Sequence, residues 1–558
     1  AVQGPEMSGR KGSDKEEMRK RILAAALARQ HGPEVGQAAA EDGDKPTHNS
    51  RPAAAARPTP AVVIDLLSDD EDEITIESPG ASKAAPAAAL APAAAETAPG
   101  KRKAREAGAP PSLGKRTTSE TTFGAGAGSR QQKAKVARSD VELVGPASVR
   151  EAASGQRGSP SACFHSNYVW GLPKSANENA VTLEGLLVRG SQRVKQALLM
   201  GMAADLEWLR TMLPAPTPLT VVQSYQKGAQ EPGHYVVDDY TTILYPELPF
   251  KYSTFHMKLC LLMFPGCIRV VVGTSNLTEL EWKHVDQLVW YQDFPERRNA
   301  PPCDFRNVLT EILVSIKLGS AFLRKYDFTE AEVDLVASIP GRHTGEKLNK
   351  YGHYRIRELL GKEDSDNPRA PVTGSGTLLY KCSSVGSLSK TYYNSFIKSF
   401  GGPKISRKEL QVQLAYPTTE QVAAIPLQYR YADFLHLGNY TYRVLPDGIL
   451  HKVTPRAEAR KNLIQHYKVA CKLSAAGAVE WVYMGSHNLS QSAWGIPEKG
   501  SSLRINSYEL GVLVRARQPG DSPRAGSRTV PSASRLAREV PFLLPAEQYE
   551  PTDKPYIS

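Results

Sequence analysis

"FHMKLCLLMFPG" spans residues 255–266 and sets a histidine and a lysine two apart at the head of an apolar run. Alternation there predicts a β-strand, and residues i and i+2 of a strand share a face. His256 and Lys258 are therefore expected side by side, imidazole next to ammonium. One such pair carries little weight, because H-x-K is a common tripeptide. Its meaning depends on whether the pattern returns.

It returns in "LIQHYKVACKL" (463–473), which supplies His466 and Lys468. Each copy runs into a second apolar stretch that ends in a similar turn: "IRVVVGTSNLTELEW" (268–282) and "VEWVYMGSHNLSQSAWG" (479–495). Asn276 follows Lys258 by 18 residues, and Asn488 follows Lys468 by 20. The shared pattern is H-x-K, a hairpin-length gap, G-[TS]-x-N-L-[TS] and a tryptophan. The copies lie 210 residues apart, about the size of a domain, and so mark a duplicated module.

The doubled H-x-K…N arrangement resembles the phospholipase D superfamily. That superfamily's usual motif continues to an aspartate, but Met263 and Leu473 stand five residues after the two lysines. The missing aspartate, with "GTSNL", "SSVGSL" and "SYELGVL", is similar to the tyrosyl-DNA phosphodiesterase 1 family within it. The resemblance covers about residues 160–558. It implies two similar phospholipase D-like α/β domains, each an α-β-α sandwich, related by a pseudo-twofold axis, at 159–343 and 344–558. The α/β class also follows from strand-like runs ("YVWGL", "LTVVQ", "CIRVVVG", "ILVSIKL", "VEWVYMG", "YELGVLV") interleaved with helical stretches ("LLMGMAADLEWLRTML", "HYRIRELLG"). Residues 340–370 read as the connection between halves, and 515–535 as a mobile surface insertion.

The chemistry suits a phosphodiester, whose attack adds charge to the equatorial oxygens. Lys258 and Lys468 can donate to those oxygens, and Asn276 and Asn488 add neutral donors. No carboxylate cluster suited to Mg²⁺ accompanies them, so no cofactor and no metal are expected. Histidine titrates near pH 6.5, so one copy can attack phosphorus while neutral and the other donate a proton. The motif symmetry leaves those roles open. The resemblance implies that His256 is the nucleophile, forming a phosphohistidine, and His466 the general acid and then base. It also marks Gln287 and Glu509 as the residues that orient the histidines. A crossed arrangement, Glu509 with His256 and Gln287 with His466, is expected, and the uncrossed one stays open.

On the substrate side, "CSSVGSL" (382–388) offers small hydroxyls and backbone N–H groups suited to phosphate. The resemblance implies DNA-backbone contacts at Ser384 and Ser490, and Ser387 joins them as a candidate. It implies base stacking by Tyr252, whose competing reading is core packing. Gln491 stands where a relative carries lysine. His284, His353, His436 and His451 lack the lysine–asparagine context and are expected to be structural or on the surface.

Composition agrees with a polyanionic partner. The 558 residues carry a net charge of +11 and a pI near 9.1, which concentrates nucleic acid or an anionic membrane at the surface. No apolar run approaches the ~20 residues of a membrane span, so no membrane role is expected. Six scattered cysteines form no C-x-x-C pair, which argues against structural zinc; without a signal peptide they fit a reducing compartment. The chain starts at Ala1 rather than Met, pointing to a missing or processed N-terminus.

Residues 1–158 are rich in Ala, Pro, Gly and Ser and are expected to form a disordered regulatory tail, with a marginal helix over 15–30. Within it, "VVIDLLSDDEDE" (62–73) resembles a SUMO-interacting motif through Val62, Val63, Ile64, Asp65 and Leu66, with Ser68 a candidate phosphosite. "KRKAREAGAPPSLGKR" (101–116) reads as a bipartite nuclear signal, and a nuclear location is expected.

The resemblance implies a monomeric DNA-repair enzyme acting at single- and double-stranded 3′ ends. Its substrate would be the tyrosyl bond to a stalled type IB topoisomerase, together with other 3′ blocking groups. Two rivals remain: another phospholipase D-type phospholipase or nuclease, and a non-enzymatic adaptor that binds SUMO-modified proteins.

Overall fold

The computed structural model describes residues 164–225, 230–362, 372–402, 404–405, 408–499, 501–517 and 531–558. The tail features at 15–30, 62–73 and 101–116 lie outside the described residues, as does 518–530 of the expected surface insertion. Among the described residues no helix is long and apolar enough to cross a membrane.

The fold is mixed α/β and is built on two large sheets. In the first, the strands run in the spatial order His165–Ser166, Leu288–Pro295, Cys267–Gly273, Leu259–Phe264, Gln196–Met200, Leu219–Val222, Thr241–Tyr245, Gly233–Asp238. In the second the order is Asp334–Ser338, Glu509–Arg515, Val479–Gly485, Lys468–Leu473, Gly376–Lys381, Leu410–Ala415, Leu450–His451. Six consecutive strands of each sheet correspond one to one. Three antiparallel strands adjoin three parallel ones, with the H-x-K hairpin at the seam. The strand Asp334–Ser338 precedes the boundary expected at 343/344, yet it pairs with Glu509–Arg515 in the second sheet.

Hairpin geometry explains the two lysine–asparagine spacings. In the first copy Phe264 pairs with Cys267 across Pro265–Gly266, and Gly266 sits at φ 74°, where a side chain is disfavoured. In the second copy a longer turn holds Gly477 at φ 77°, and the register shifts at Lys472/Leu473. The extra two residues are absorbed there, so both asparagines reach the end of the sheet from which their lysines start.

Alternate strand residues divide the core into layers. Leu259, Leu261, Val270 and Trp290 of the first sheet share one buried cluster with Val482, Met484, Leu510 and Val512 of the second. The two inner faces therefore enclose a common core, which the helix Asp304–Ser315 completes. The outer face of the first sheet is covered by Leu183, Leu186 and Leu209. The helices Gly352–Gly361 and Lys390–Phe400 cover that of the second.

Four local expectations are corrected. "ILVSIKL" starts inside the helix Asp304–Ser315, whose buried Phe305, Val308, Leu309, Ile312 and Leu313 follow the 3.6-residue period rather than alternation. The first residues of "LLMGMAADLEWLRTML" end the strand Gln196–Met200, and helix begins only at Leu206, where the Asp205 side chain caps it. "YVWGL" forms no strand; the nearest is His165–Ser166. Within the connection expected over 340–370, Gly341–His343 forms a strand that pairs with Ser502–Ile505, while the helix Gly352–Gly361 agrees with the reading of "HYRIRELLG".

Candidate active site

The H-x-K residues do not sit within their strand in the first copy: Leu259 starts the ladder, and His256 to Lys258 lead into it. In the second copy Lys468 is the first strand residue. Each lysine folds back onto the carbonyl of its own histidine, Lys258 Nζ to His256 O at 2.7 Å and Lys468 Nζ to His466 O at 2.6 Å. Both lysines are buried, at 3% and 0% exposure, so their ammonium groups are held rigidly and poorly hydrated.

The segment before each histidine crosses to the other module. Tyr508 N donates to Thr254 O at 2.9 Å and His256 N donates to Tyr508 O at 3.0 Å. Likewise Asp286 N donates to Ile464 O at 3.0 Å and His466 N donates to Asp286 O at 2.9 Å. The residue after each bridge, Glu509 or Gln287, thus arrives beside the histidine of the opposite module. His256 Nδ1 lies 2.8 Å from Glu509 Oε2, and Gln287 Nε2 lies 3.0 Å from His466 Nδ1. The arrangement is the crossed one.

The two partners impose different proton placements. A carboxylate only accepts, so Glu509 takes an Nδ1–H from His256 and leaves the Nε2 lone pair bare. Gln287 is oriented by its other bonds: its Oε1 accepts from the Thr274 hydroxyl at 2.7 Å, and its Nε2 donates to Glu281 Oε2 at 3.2 Å. Its amide therefore offers N–H to His466 Nδ1, and a neutral His466 carries its proton on Nε2.

Electrostatics favour neutral imidazoles before substrate arrives. Burial lowers the pKa of His256 against the upward pull of Glu509, and Lys258 and Lys468 lower it further. Burial also takes His466 well below its ordinary value, helped by Lys468, Lys258, His256 and Lys381. Burial brings Lys258 down to about 8, opposed by Glu509 and Glu281, and drives Lys468 well down, with Lys258 and Lys381 adding to it. Burial pushes Glu509 upward, but the charge and hydrogen bond of His256, with His487 and Lys258, outweigh it and hold the carboxyl at about 2. The site is thus short of negative charge and suits an anionic group.

The asparagines occupy equivalent places. Asn276 Oδ1 accepts from Met202 N at 3.0 Å, and Asn488 Oδ1 from Ser384 N at 3.2 Å and Ser383 Oγ at 3.3 Å. Asn276 Nδ2 gives one proton to Glu281 Oε1 at 2.7 Å, keeping the other for a ligand. Ser384 adjoins this group, whereas Ser387 is exposed and its carbonyl accepts from Gln491 Nε2 at 2.9 Å. Gln491 therefore ties two loops together. Ser490 Oγ accepts from Ala493 N at 3.2 Å as a helix cap. Tyr252 is 40% exposed with Lys251 Nζ 4.9 Å from its ring centre, which removes the core-packing reading. His353, His436 and His451 bond elsewhere, to Ser399, Ser558 and the Ile449 carbonyl. His284 lies near the rings of Tyr429 and Tyr431.

Several site residues escaped the sequence reading. Glu281 is buried beside Gln287, and its counterpart five residues after Asn488 is Ala493, so the broken symmetry of the repeat was the available signal. Lys381, buried in an apolar strand, donates to the carbonyls of Gln465 and Tyr467, the two neighbours of His466. Burial lowers its pKa to about 7. Arg460 pairs with Asp286 in the interior and also binds the carbonyls of Asn167 and Ala176. No group of three or more His, Cys, Asp or Glu among the described residues is arranged to hold a metal ion.

Comparison with known proteins places this geometry. Residues 163–550 match the family model described as tyrosyl-DNA phosphodiesterase. The chain is 28% identical over 507 residues to tyrosyl-DNA phosphodiesterase 1 of Arabidopsis thaliana, covering 77% of this chain and 78% of that protein. It is 24% identical to tyrosyl-DNA phosphodiesterase 1 of Drosophila melanogaster, covering 72% and 74%. The crystal structure of the yeast tyrosyl-DNA phosphodiesterase shares the fold with a TM-score of 0.54 at 20% identity, covering 71% of this chain and 99% of that one. The chain belongs to the tyrosyl-DNA phosphodiesterase family, on a phospholipase D fold.

Proposed function

We propose that this chain hydrolyses the bond between a DNA 3′ phosphate and the tyrosine of a stalled type IB topoisomerase, through a covalent phosphohistidine on His256 and without a metal. Its family makes it a phosphodiesterase of DNA repair. The finer reading rests above all on one observation: Glu509 and Gln287 assign different proton placements to two otherwise equivalent histidines.

In the first step the bare Nε2 of His256 attacks phosphorus in line with the tyrosyl oxygen. The N–P bond forms, the P–O bond breaks, and the departing phenolate takes a proton from Nε2 of a protonated His466. In the second step water attacks phosphorus, its proton passes to His466 Nε2, and the N–P electron pair returns to His256. Lys258 and Lys468 neutralise the equatorial oxygens throughout, supplying the positive charge that a metal provides elsewhere. Asn276 and Asn488 add neutral donors. Because this clamp holds the phosphate rather than the leaving group, other 3′ blocking groups are also substrates. DNA extends past Tyr252, Ser384, Ser387 and Ser490, as a single strand or a duplex end. The nuclear location and the SUMO contact of Val62–Leu66 complete the proposal on sequence grounds alone.

The test is a gel assay on an oligonucleotide ending in 3′-phosphotyrosine, with EDTA present. Wild type converts it to 3′-phosphate, His256→Ala does not, and His466→Ala accumulates a DNA–protein adduct. An inert wild type would refute the proposal and direct attention to lipid and internal-diester substrates.

A further inference from the structure

The reaction just described leaves one buried carboxylate without a part. Glu281 is 2% exposed. Its Oε1 accepts from Asn276 Nδ2 at 2.7 Å, and its Oε2 from Asn276 N at 2.8 Å and Gln287 Nε2 at 3.2 Å. Among the described residues no lysine or arginine pairs with it within 4 Å; the nearest group that can become a cation is His466, whose Nδ1 lies 3.8 Å from Oε2. Lys258 and Lys468 are the cations that act on it from farther away. An uncompensated carboxylate in the interior is costly, and Ala493 at the equivalent position of the repeat shows that the fold does not need one.

A proton count at His466 supplies the need. As an acid His466 carries N–H on both ring nitrogens. Nε2–H faces the leaving oxygen, and Nδ1–H must find an acceptor. Gln287 cannot be that acceptor in its present orientation. It presents its own N–H, and its Oε1 is held by the Thr274 hydroxyl, which in turn accepts from Leu288 N at 3.0 Å. The nearest acceptor beyond it is Glu281 Oε2, at 3.8 Å just past hydrogen-bonding distance. The charged groups facing His466 from the other elements are Lys468, Lys258, His256 and Lys381, and all of them oppose its protonation.

We propose that Glu281 is the positioning carboxylate of His466: as His466 gains its second proton, Glu281 Oε2 receives the Nδ1–H and the Gln287 amide gives way. The inference rests on the phosphodiesterase reading and deepens it. When Nε2–H passes to the departing phenolate, the proton left on the ring is the one that Glu281 holds on Nδ1. The Nε2 lone pair is then bare and correctly placed to take a proton from water in the second step. His256 thus has its carboxylate in direct contact, and His466 reaches its own only in the charged state.

The test compares two full-chain substrates under single turnover. One oligonucleotide ends in 3′-phosphotyrosine, whose phenol leaves with a proton. The other ends in 3′-p-nitrophenyl phosphate, whose leaving group departs without one. For Glu281→Gln, tyrosyl cleavage falls by roughly 100-fold, in the range of a lost general acid, while nitrophenyl release stays within about threefold. The adduct then accumulates from the nitrophenyl substrate, because water is no longer activated. Adding Gln287→Glu to Glu281→Gln returns a carboxylate to Nδ1 and recovers tyrosyl cleavage at least about tenfold. Equal slowing on both substrates would make Glu281 merely structural and overturn the inference, as would an unchanged rate on both. A wild type inert on both oligonucleotides would overturn the proposed function and this inference with it.

Discussion

Replacing Glu509 by glutamine keeps the length of the side chain and removes its charge. In the protein its carboxyl is held at about 2 against an ordinary 4.5. At about 1.4 kcal/mol per tenfold change in acidity, the surroundings favour the carboxylate by about 3–4 kcal/mol net of its burial. His256 supplies most of that through the 2.8 Å contact, and His487 and Lys258 supply the rest. In the proposed first step, attack by His256 makes its ring cationic, and Nδ1–H strengthens its bond to Glu509. The carboxylate therefore stabilises the transition state more than the ground state. Glu509→Gln should slow adduct formation by about 2–3 kcal/mol, roughly 30- to 150-fold. Rapid-quench single turnover on the 3′-phosphotyrosyl oligonucleotide reads that rate, and anisotropy of the labelled DNA reads binding, which should change less than about twofold. A rate within threefold of wild type with binding intact would refute the argument that the charge drives attack. The same shift fixes a stability signature. A depressed carboxyl contributes stability that is complete above pH 4.5 and is lost as pH falls from there to about 2. The variant should lose that portion of its acid-unfolding curve.

Three further outcomes are expected. Lys258 must be charged to bind the phosphate, so kcat/KM should fall as pH rises through about 8, whereas kcat should fall at higher pH because bound phosphate retains the proton; a kcat/KM profile flat to pH 10 would exclude Lys258 from the clamp. Arg460→Met strands Asp286, which is 2% exposed, and should cost about 3–5 kcal/mol in urea unfolding, with His466 losing its backbone anchor. A loss under 1 kcal/mol would mean that the pair contributes little. Tyr252→Ala should weaken single-strand binding by about 1–3 kcal/mol and leave the chemical steps on bound DNA unchanged; unchanged affinity would place the DNA elsewhere.

Much of the site was legible because its signal is local. Lys258 and Asn276, like Lys468 and Asn488, are joined by one hairpin, and an antiparallel hairpin brings its two outer ends together whatever surrounds it. Runs of branched and aromatic residues also located the strands Cys267–Gly273, Val479–Gly485 and Glu509–Arg515. Errors arose where a short window hid the wider period. "ILVSIKL" alternates when cut at residue 312, but Phe305, Val308 and Leu309 upstream set the helical phase. "LLMGMAADLEWLRTML" carries apolar residues along its whole length, and the Asp205 cap marks where its helix starts after the strand.

The sequence by itself determined the duplication, the α/β class and the six His, Lys and Asn groups of the repeat, because these follow from residue type and short spacing, whereas Gln287 and Glu509 were marked only by the family resemblance. Tertiary structure alone decided which histidine meets which partner. That choice depends on two backbone bridges, at Tyr508 with residues 254–256 and at Asp286 with residues 464–466, between segments far apart in the chain. It likewise decided that Glu281 stands within reach of His466, since a residue's distance from a group on another module depends on how two sheets share one core.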